Sequence, residues 1–345
     1  MDATETEFLI VGAGVAGLSC ARELRRAGRS VALLEKSRGV GGRCATRRIR
    51  NQPVDHGPGF FHGSDRDFLR AIEELAPASR IEGWPSRVRG EGRPCLPRAF
   101  GRGERCVAFR EGATAFPKHL ARDLDVRLET EVQALDVAEG SVRADCGDGR
   151  MVRGATVILT PPVAQTLRLI DSIPDRPREI EAMRALLAMM ANLPCLVVLA
   201  GYPPDIPLPE WQVRYPEESR MLQVISHDSD KRVDPALHVF VFQCLPGWSR
   251  MFMEEDPEQW MPRVLEEARS LLGPWAGDPV WAHAHRWRYA RAGTGNELTR
   301  PIVGSLPGGA RLALTGEVFS PGGGVQGAWI AGRDLGRRLS TEIAP

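Results

Sequence analysis

The chain has 345 residues, 43% of them hydrophobic and 26% charged, with a formal net charge of +1. That length exceeds what one core usually reaches and suggests two domains of unequal size. The balanced charge argues against an overall field for nucleic acid or a membrane surface. Seven scattered cysteines without a Cys-x-x-Cys pair argue against a disulfide framework or a zinc site.

In chain order, the opening MDATETEFLIVGAG lacks a basic-then-apolar leader, so a cytoplasmic protein is expected. Residues 8–14 read as a buried parallel strand ending in glycines. Residues 15–27 have helical spacing with Leu18, Ala21 and Leu24 on one face, and Gly28 ends that helix. Residues 30–35 form a second buried strand. Residues 73–105, rich in Pro, Gly and Arg, suggest short strands and loops at 95–100 and 106–109. A helix is expected over 115–124, a strand pair over 126–135 and 141–149, and a buried strand over 155–162. Residues 185–204 are uncharged but broken by Pro194, and read as a helix end plus a buried strand rather than a membrane span. Further strands are expected at 195–200, 221–226 and 237–244, and a helix at 257–272 with Trp260, Val264, Ala268 and Leu271 on one face. A strand at 311–317 and a helix over 325–342 return to the style of the N-terminus. The expected organisation is a discontinuous dinucleotide-binding domain (1–72, 106–164 and 298–345) and a substrate domain (73–105 and 165–297).

Gly12, Gly14 and Gly17 form Gly-x-Gly-x-x-Gly between a strand and a helix. Such a turn lets backbone approach a diphosphate and aims helix N–H groups at it, with Ala16 in the helix's first turn. Glu35 closes the second strand, where a carboxylate accepts from ribose hydroxyls. The continuation KSRGVGGRCATRR (36–48) separates FAD from NAD. Arg38 and Arg43 flank Gly39, Gly41 and Gly42, and guanidinium groups suit a second stretch of diphosphate. Lys36 and Thr160, at the ends of two strands, are further cofactor candidates. Near the C-terminus, Gly316 is followed by Gly322 to Gly324 and a helix whose Gly327, Ala328, Ala331 and Gly332 allow close approach. Its start, at Gly324 and Val325, is suited to stabilising the negative charge that a flavin gains on reduction.

The combination of GAGVAGL, EKSRGVGGR, DHGPGFF (55–61), REGATAF (110–116), SDKR (229–232), AHRWRYA (284–290) and GE…GGGVQGAW resembles the renalases, within the flavin-containing amine oxidase superfamily. The resemblance runs over most of the chain. It implies an α/β fold of the p-hydroxybenzoate-hydroxylase-like, two-dinucleotide-binding-domain type: a Rossmann-type FAD domain with a second domain of mixed β-sheet plus helices. It implies non-covalent FAD, with Gly12, Gly14, Gly17, Glu35, Arg38, Gly42 and Arg43 at the ADP moiety and Val132 beside the adenine. Gly57, Pro58, Gly59 and Phe60 would pass near the isoalloxazine, and Gly324, Val325 and Ala328 would lie at the ribityl and pyrimidine end. The implied reaction is oxidation of dihydro-isomers of NAD(P), with O2 reduced to H2O2. Two departures stand out. A Gln expected within 57–60 is missing, and Glu317 replaces an Asp that accepts from the ribityl chain.

Other residues keep two readings. His62 suits substrate binding or proton acceptance, and suits capping the turn into Ser64 and Asp65 equally well. Trp287, Arg288 and Tyr289 form either an aromatic and cationic wall opposite the flavin or an ordinary strand with two buried aromatics. His283 and His285 lack the further ligands a metal needs. Lys231, in HDSDKR, reads as a solvated turn or as a lysine near the flavin. Cys44 reads as a small packed side chain. Other enzyme readings are an amine oxidase or a tailoring desaturase, and a non-enzyme reading is a flavin-binding partner or sensor.

Overall fold

The computed structural model describes residues 4–342 except 92–102, 139, 148, 294 and 296. The chain divides into two compact units, one comprising residues 1–42, 116–192 and 292–345, the other 43–115 and 193–291.

The first unit is built on a parallel sheet. Phe8, Leu9 and Ile10 of the strand Thr4–Val11 have no exposed surface. A strand covered on both faces carries such an unbroken apolar run. It pairs in parallel with Val31–Leu34 on one side and Met151–Leu159 on the other. Asp125–Arg127 pairs in parallel with Val31–Leu34 and Arg311–Leu314 in parallel with Met151–Leu159, and Ile302–Ser305 lies outside Arg311–Leu314 in antiparallel pairing. The helices Val15–Arg26 and Gly324–Glu342 pack together through small residues. A Cβ at Gly332 would lie 2.0 Å from the Ala16 carbonyl oxygen, and Ser19 Oγ donates to the Trp329 carbonyl at 2.8 Å.

One expected pairing is corrected. The antiparallel pair is Ala134–Ala138 with Ser141–Asp145, while residues 125–127 join the parallel sheet beside Val31–Leu34. Between them the chain runs along the end of the second strand, with Glu129 N donating to the Ser37 carbonyl and Thr130 N to the Glu35 carbonyl. These outside partners satisfy the backbone that a longer hairpin would have used.

The second unit holds a six-stranded sheet in the order 281–292, 192–202, 238–244, 222–227, 213–214 and 88–89. The helix Pro257–Leu272 buries Trp260, Val264 and Ala268 in a cluster with Tyr202 and Phe240. The hairpin Thr46–Ile49 with Gln52–Asp55 and a three-stranded sheet (Phe61–Gly63, Arg105–Phe109, Arg80–Glu82) complete it. The strand expected at 95–100 lies outside the described residues.

The units divide differently from the expected organisation. Residues 43–72 and 106–115 group with the second unit, and 165–192 with the first. The cause is pairing. The strand at 61–63 pairs with 105–109, whereas Ile180, Met183 and Leu187 bury into the core that holds Leu312 and Leu314.

Candidate dinucleotide site and active site

In the first unit the glycine turn is fixed by its surroundings. Gly12 has φ +100°, and Thr160 Oγ1 donates to the Val11 and Gly12 carbonyls at 2.9 and 3.2 Å. A Cβ at Gly17 would fall 2.2 Å from the Gly12 carbonyl oxygen. The first intrahelical bond of Val15–Arg26 runs from Leu18 N to Gly14 O at 3.0 Å. The amides of Val15, Ala16 and Gly17 therefore have no acceptor within the helix, and no side chain caps it. A Cβ at Gly14 would meet nothing within 4 Å, so open space lies before these amides.

Glu35 is 6% exposed. Its Oε2 accepts from Ala13 N and its Oε1 from Ser37 N, both at 2.8 Å. Each oxygen keeps acceptor capacity for one ribose hydroxyl. The loop after Glu35 returns to the turn, with Gly41 N donating to the Ala13 carbonyl at 2.8 Å and Gly42 in left-handed conformation beside Gly14. Lys36 and Arg38 are exposed on that loop. Lys36 Nζ reaches Gln165 Oε1 at 3.4 Å, and Arg38 has no partner among the described residues. Val132 is buried at 8% exposure in this unit's core. This set fits an adenosine diphosphate: a carboxylate for the ribose, free helix amides and cations for phosphates.

Glu317 is anchored on two backbone amides. Its Oε1 accepts from Gly324 N at 3.1 Å and its Oε2 from Ala292 N at 3.0 Å. The extra methylene lets it cap the helix Gly324–Glu342, whose start the side chain of an Asp would reach less readily. Gly316 has φ +147°, Gly324 is exposed, and Val325 and Ala328 are half-buried in the helix's first turns.

In the second unit, Arg43 Nη1 contacts the Ala290 carbonyl at 3.5 Å. The segment 56–60 is held through its carbonyls. His56 O accepts from Trp287 Nε1 at 2.7 Å, Gly57 O from Gln243 Nε2 at 2.8 Å, and Gly59 O from Lys231 Nζ at 2.8 Å. Pro58 and Phe60 are half-buried within it.

Lys231 overturns the solvated-turn reading. Its side chain is wholly buried, 2.5 Å from Asp55 Oδ2 and 2.6 Å from Asp228 Oδ1. Arg232 closes the cluster against both carboxylates at 3.4 and 3.2 Å. Burial pushes the Asp55 carboxyl up, but the charges of Lys231 and Arg232 outweigh it and hold it below the usual range. Burial raises Asp228, with Asp55 adding to the effect. The available sequence signal was Asp228 placed three and four residues before Lys231 and Arg232.

His62 Nδ1 pairs with Glu104 Oε2 at 2.9 Å, and the helix start after it is capped instead by Asp65, which accepts from Phe68 N at 2.8 Å. The capping reading of His62 is thus corrected, and Glu104 was missed. The wall of Trp287, Arg288 and Tyr289 is corrected as well. Neighbouring strand residues face opposite ways, so Trp287 packs on His56 and His285 while Arg288 is exposed and paired with Glu254. Arg47 Nη2 lies 3.4 Å from His285 Nδ1. A guanidinium only donates, so that nitrogen accepts and the ring's proton sits on Nε2. Burial lowers the pKa of His56 to about 4 and that of His285 to about 3, with Arg47 adding to both shifts. His283 is exposed beside Trp281.

The glycine turn, the parallel sheet and the second sheet define a dinucleotide-binding fold. Residues 10–75 match an NAD(P)-binding Rossmann-like domain and residues 87–339 match the family of flavin-containing amine oxidoreductases. The chain belongs to that family, and its cofactor is FAD. It is 44% identical over 66 residues to "Putative flavin-containing monoamine oxidase AofH" of Mycobacterium tuberculosis, covering 19% of this chain and 14% of that one. It is 37% identical over 73 residues to putrescine oxidase of Kocuria rosea, covering 21% and 15%. These matches therefore span about one seventh of the relatives' length. In fold it is similar to a putrescine oxidase redesigned in cofactor binding, with a TM-score of 0.74 at 17% identity over 99% of this chain and 100% of the other. A cyclohexylamine oxidase from Brevibacterium oxydans gives 0.72 at 14% identity, over 98% and 99%. Among the described residues no helix is long and apolar enough to cross a membrane.

Proposed function

We propose that the chain is an FAD-dependent oxidase of the renalase type, acting on a dihydro-nicotinamide or a similar small planar molecule. The observation that carries the dinucleotide part of the reading is the buried Glu35 carboxylate set beside the open start of the helix Val15–Arg26, and the family match makes that dinucleotide FAD. FAD supplies a two-electron acceptor that O2 re-oxidises with formation of H2O2.

The protein's part is to hold and orient. Glu35 accepts from the adenosine ribose, and the amides of Val15, Ala16 and Gly17 with Arg38 and Arg43 bind the diphosphate. Val132 lies at the adenine. Thr160 and Gly316 shape the backbone, and Gly324, Val325 and Ala328 form the ribityl and pyrimidine end. Oxidation by removal of a C–H with its electron pair needs no side-chain base when the substrate carries no proton to lose, so positioning dominates. His62, oriented by Glu104, is the group suited to take a proton from a substrate that must lose one.

An amine substrate is the second reading. It is favoured by the family itself and by relatives named as putrescine and monoamine oxidases. Anaerobic stopped-flow mixing separates the two readings. The 2- and 6-dihydro isomers of NAD(P) should bleach the flavin rapidly, and bleaching by amines alone would overturn the renalase-type assignment.

A further inference from the structure

We infer that the first unit carries a second small-molecule site, separate from the glycine turn, which takes a medium-chain aliphatic carboxylate. The site is a cavity of about 660 Å3 bounded by the helix Arg178–Ala188, residues 298–303 and the helix Gly324–Glu342. Small-molecule pockets span about 300–1,000 Å3, so the space is of the right size. All of its lining residues belong to the first unit.

The apolar walls follow from how these elements pack. A Cβ at Gly304 would fall 2.4 Å from Met183 Sδ, and the missing side chain lets the helix Arg178–Ala188 rest on the strand Ile302–Ser305. Leu186 stands one turn on from Met183, and Ile302 lies two residues before Gly304 on the same strand face. Both continue past that contact and line the cavity. Leu298, whose N–H donates to the Val318 carbonyl at 2.7 Å, packs against the core beside them. Leu335, 1% exposed, adds a wall from the helix Gly324–Glu342. These side chains carry no polar atom, so the body of a ligand seated on them must be apolar.

The rim is charged. Arg300, Asp334 and Arg338 line the cavity and are exposed. Asp334 accepts from Arg333 Nε at 2.8 Å. Arg338 donates to Glu342 Oε1 at 2.6 Å, and Arg311 pairs with the other oxygen of the same carboxylate. One glutamate thus serves two guanidinium groups, and Arg300 has no partner among the described residues. The four arginines exceed the two carboxylates, which leaves the rim positive. A guanidinium binds both oxygens of a carboxylate through parallel N–H donors. An apolar well under such a rim is complementary to an aliphatic chain that ends in a carboxylate.

The test is calorimetric titration of the FAD-loaded protein with octanoate, octan-1-ol and acetate, repeated on R300Q and L186W. Melting temperature and flavin content are recorded for each protein. Octanoate should bind once per chain, octanol at least fivefold more weakly, and acetate without saturable heat. R300Q removes an exposed, unpaired charge, so it should melt and hold FAD as the unaltered protein does. It should weaken octanoate fivefold or more and leave octanol within twofold. L186W fills the apolar well and should weaken both; if it fails to fold, the R300Q comparison decides alone. Absence of saturable octanoate binding, octanoate affinity that survives R300Q, or an equal loss of octanol in R300Q overturns the inference. Flavin content is read independently of these titrations, so protein that takes up no FAD refutes the flavin assignment instead.

Discussion

Glu35→Gln is the sharpest perturbation of the nucleotide site, because it keeps shape and removes charge. In the structure both carboxylate oxygens accept from backbone amides at 2.8 Å. In the variant one of those amides must face the NH2 end of the introduced glutamine, donor against donor. A buried N–H without an acceptor costs about 1–3 kcal/mol, and the neutral oxygen weakens the remaining bond by about 1 kcal/mol. The FAD-free protein should therefore lose about 2–4 kcal/mol of stability. On the ligand side, one charge-assisted bond to a ribose hydroxyl disappears. At about 1.5–3 kcal/mol this raises the Kd for FAD roughly 10- to 150-fold. Urea unfolding of the FAD-free protein and fluorescence titration with FAD read the two effects separately. A variant that binds FAD within threefold of the unaltered protein would refute the placement of the ribose on Glu35.

Other outcomes follow from the same geometry. His56 and His227 are buried, and burial lowers both to about 4, below the ordinary value of 6.5. The unfolded chain thus binds more protons, so stability is intact above about pH 6.5 and falls as pH drops toward 4. Each of the two should remove about 2 kcal/mol at pH 5, and His227→Phe should flatten the acid limb in urea titrations; an unchanged limb would contradict the burial argument. Gly17→Ala forces a Cβ to within 2.2 Å of the Gly12 carbonyl oxygen and should abolish FAD retention on gel filtration, with about 1–3 kcal/mol lost from overpacking. Arg288→Ala breaks only an exposed ion pair with Glu254, and flavin content, melting temperature and anaerobic bleaching should all stay within error of the unaltered protein. A slowed bleaching step would restore Arg288 to the active site.

What was legible in the sequence was local. The glycine turn, Glu35 and the helices at 15–26, 257–272 and 324–342 are each specified within a few turns of chain by spacing, glycine and apolar periodicity. The second unit's site was not legible for the opposite reason. Lys231 lies 176 residues from Asp55, and Trp287 lies 231 residues from the His56 carbonyl it binds. A run such as HDSDKR reads as solvated because nothing local supplies its burial. Only the sheet strands Leu222–His227 and His238–Cys244 on either side carry it inward. Arg288 was misplaced beside Trp287 because adjacency in sequence was read as adjacency on one face, which a strand forbids. Glu317 shows a subtler limit. One added methylene is visible in the sequence, but its use as a cap on Gly324 is visible only once the helix start is in place.

The most direct test of the flavin-oxidase reading is one anaerobic turnover followed by exposure to air. Purified protein should carry FAD at close to one per chain, bleach with a dihydro-nicotinamide isomer, and recover its colour in air with one H2O2 formed per flavin re-oxidised. Protein that stays colourless and takes up no added FAD would contradict the account at its base.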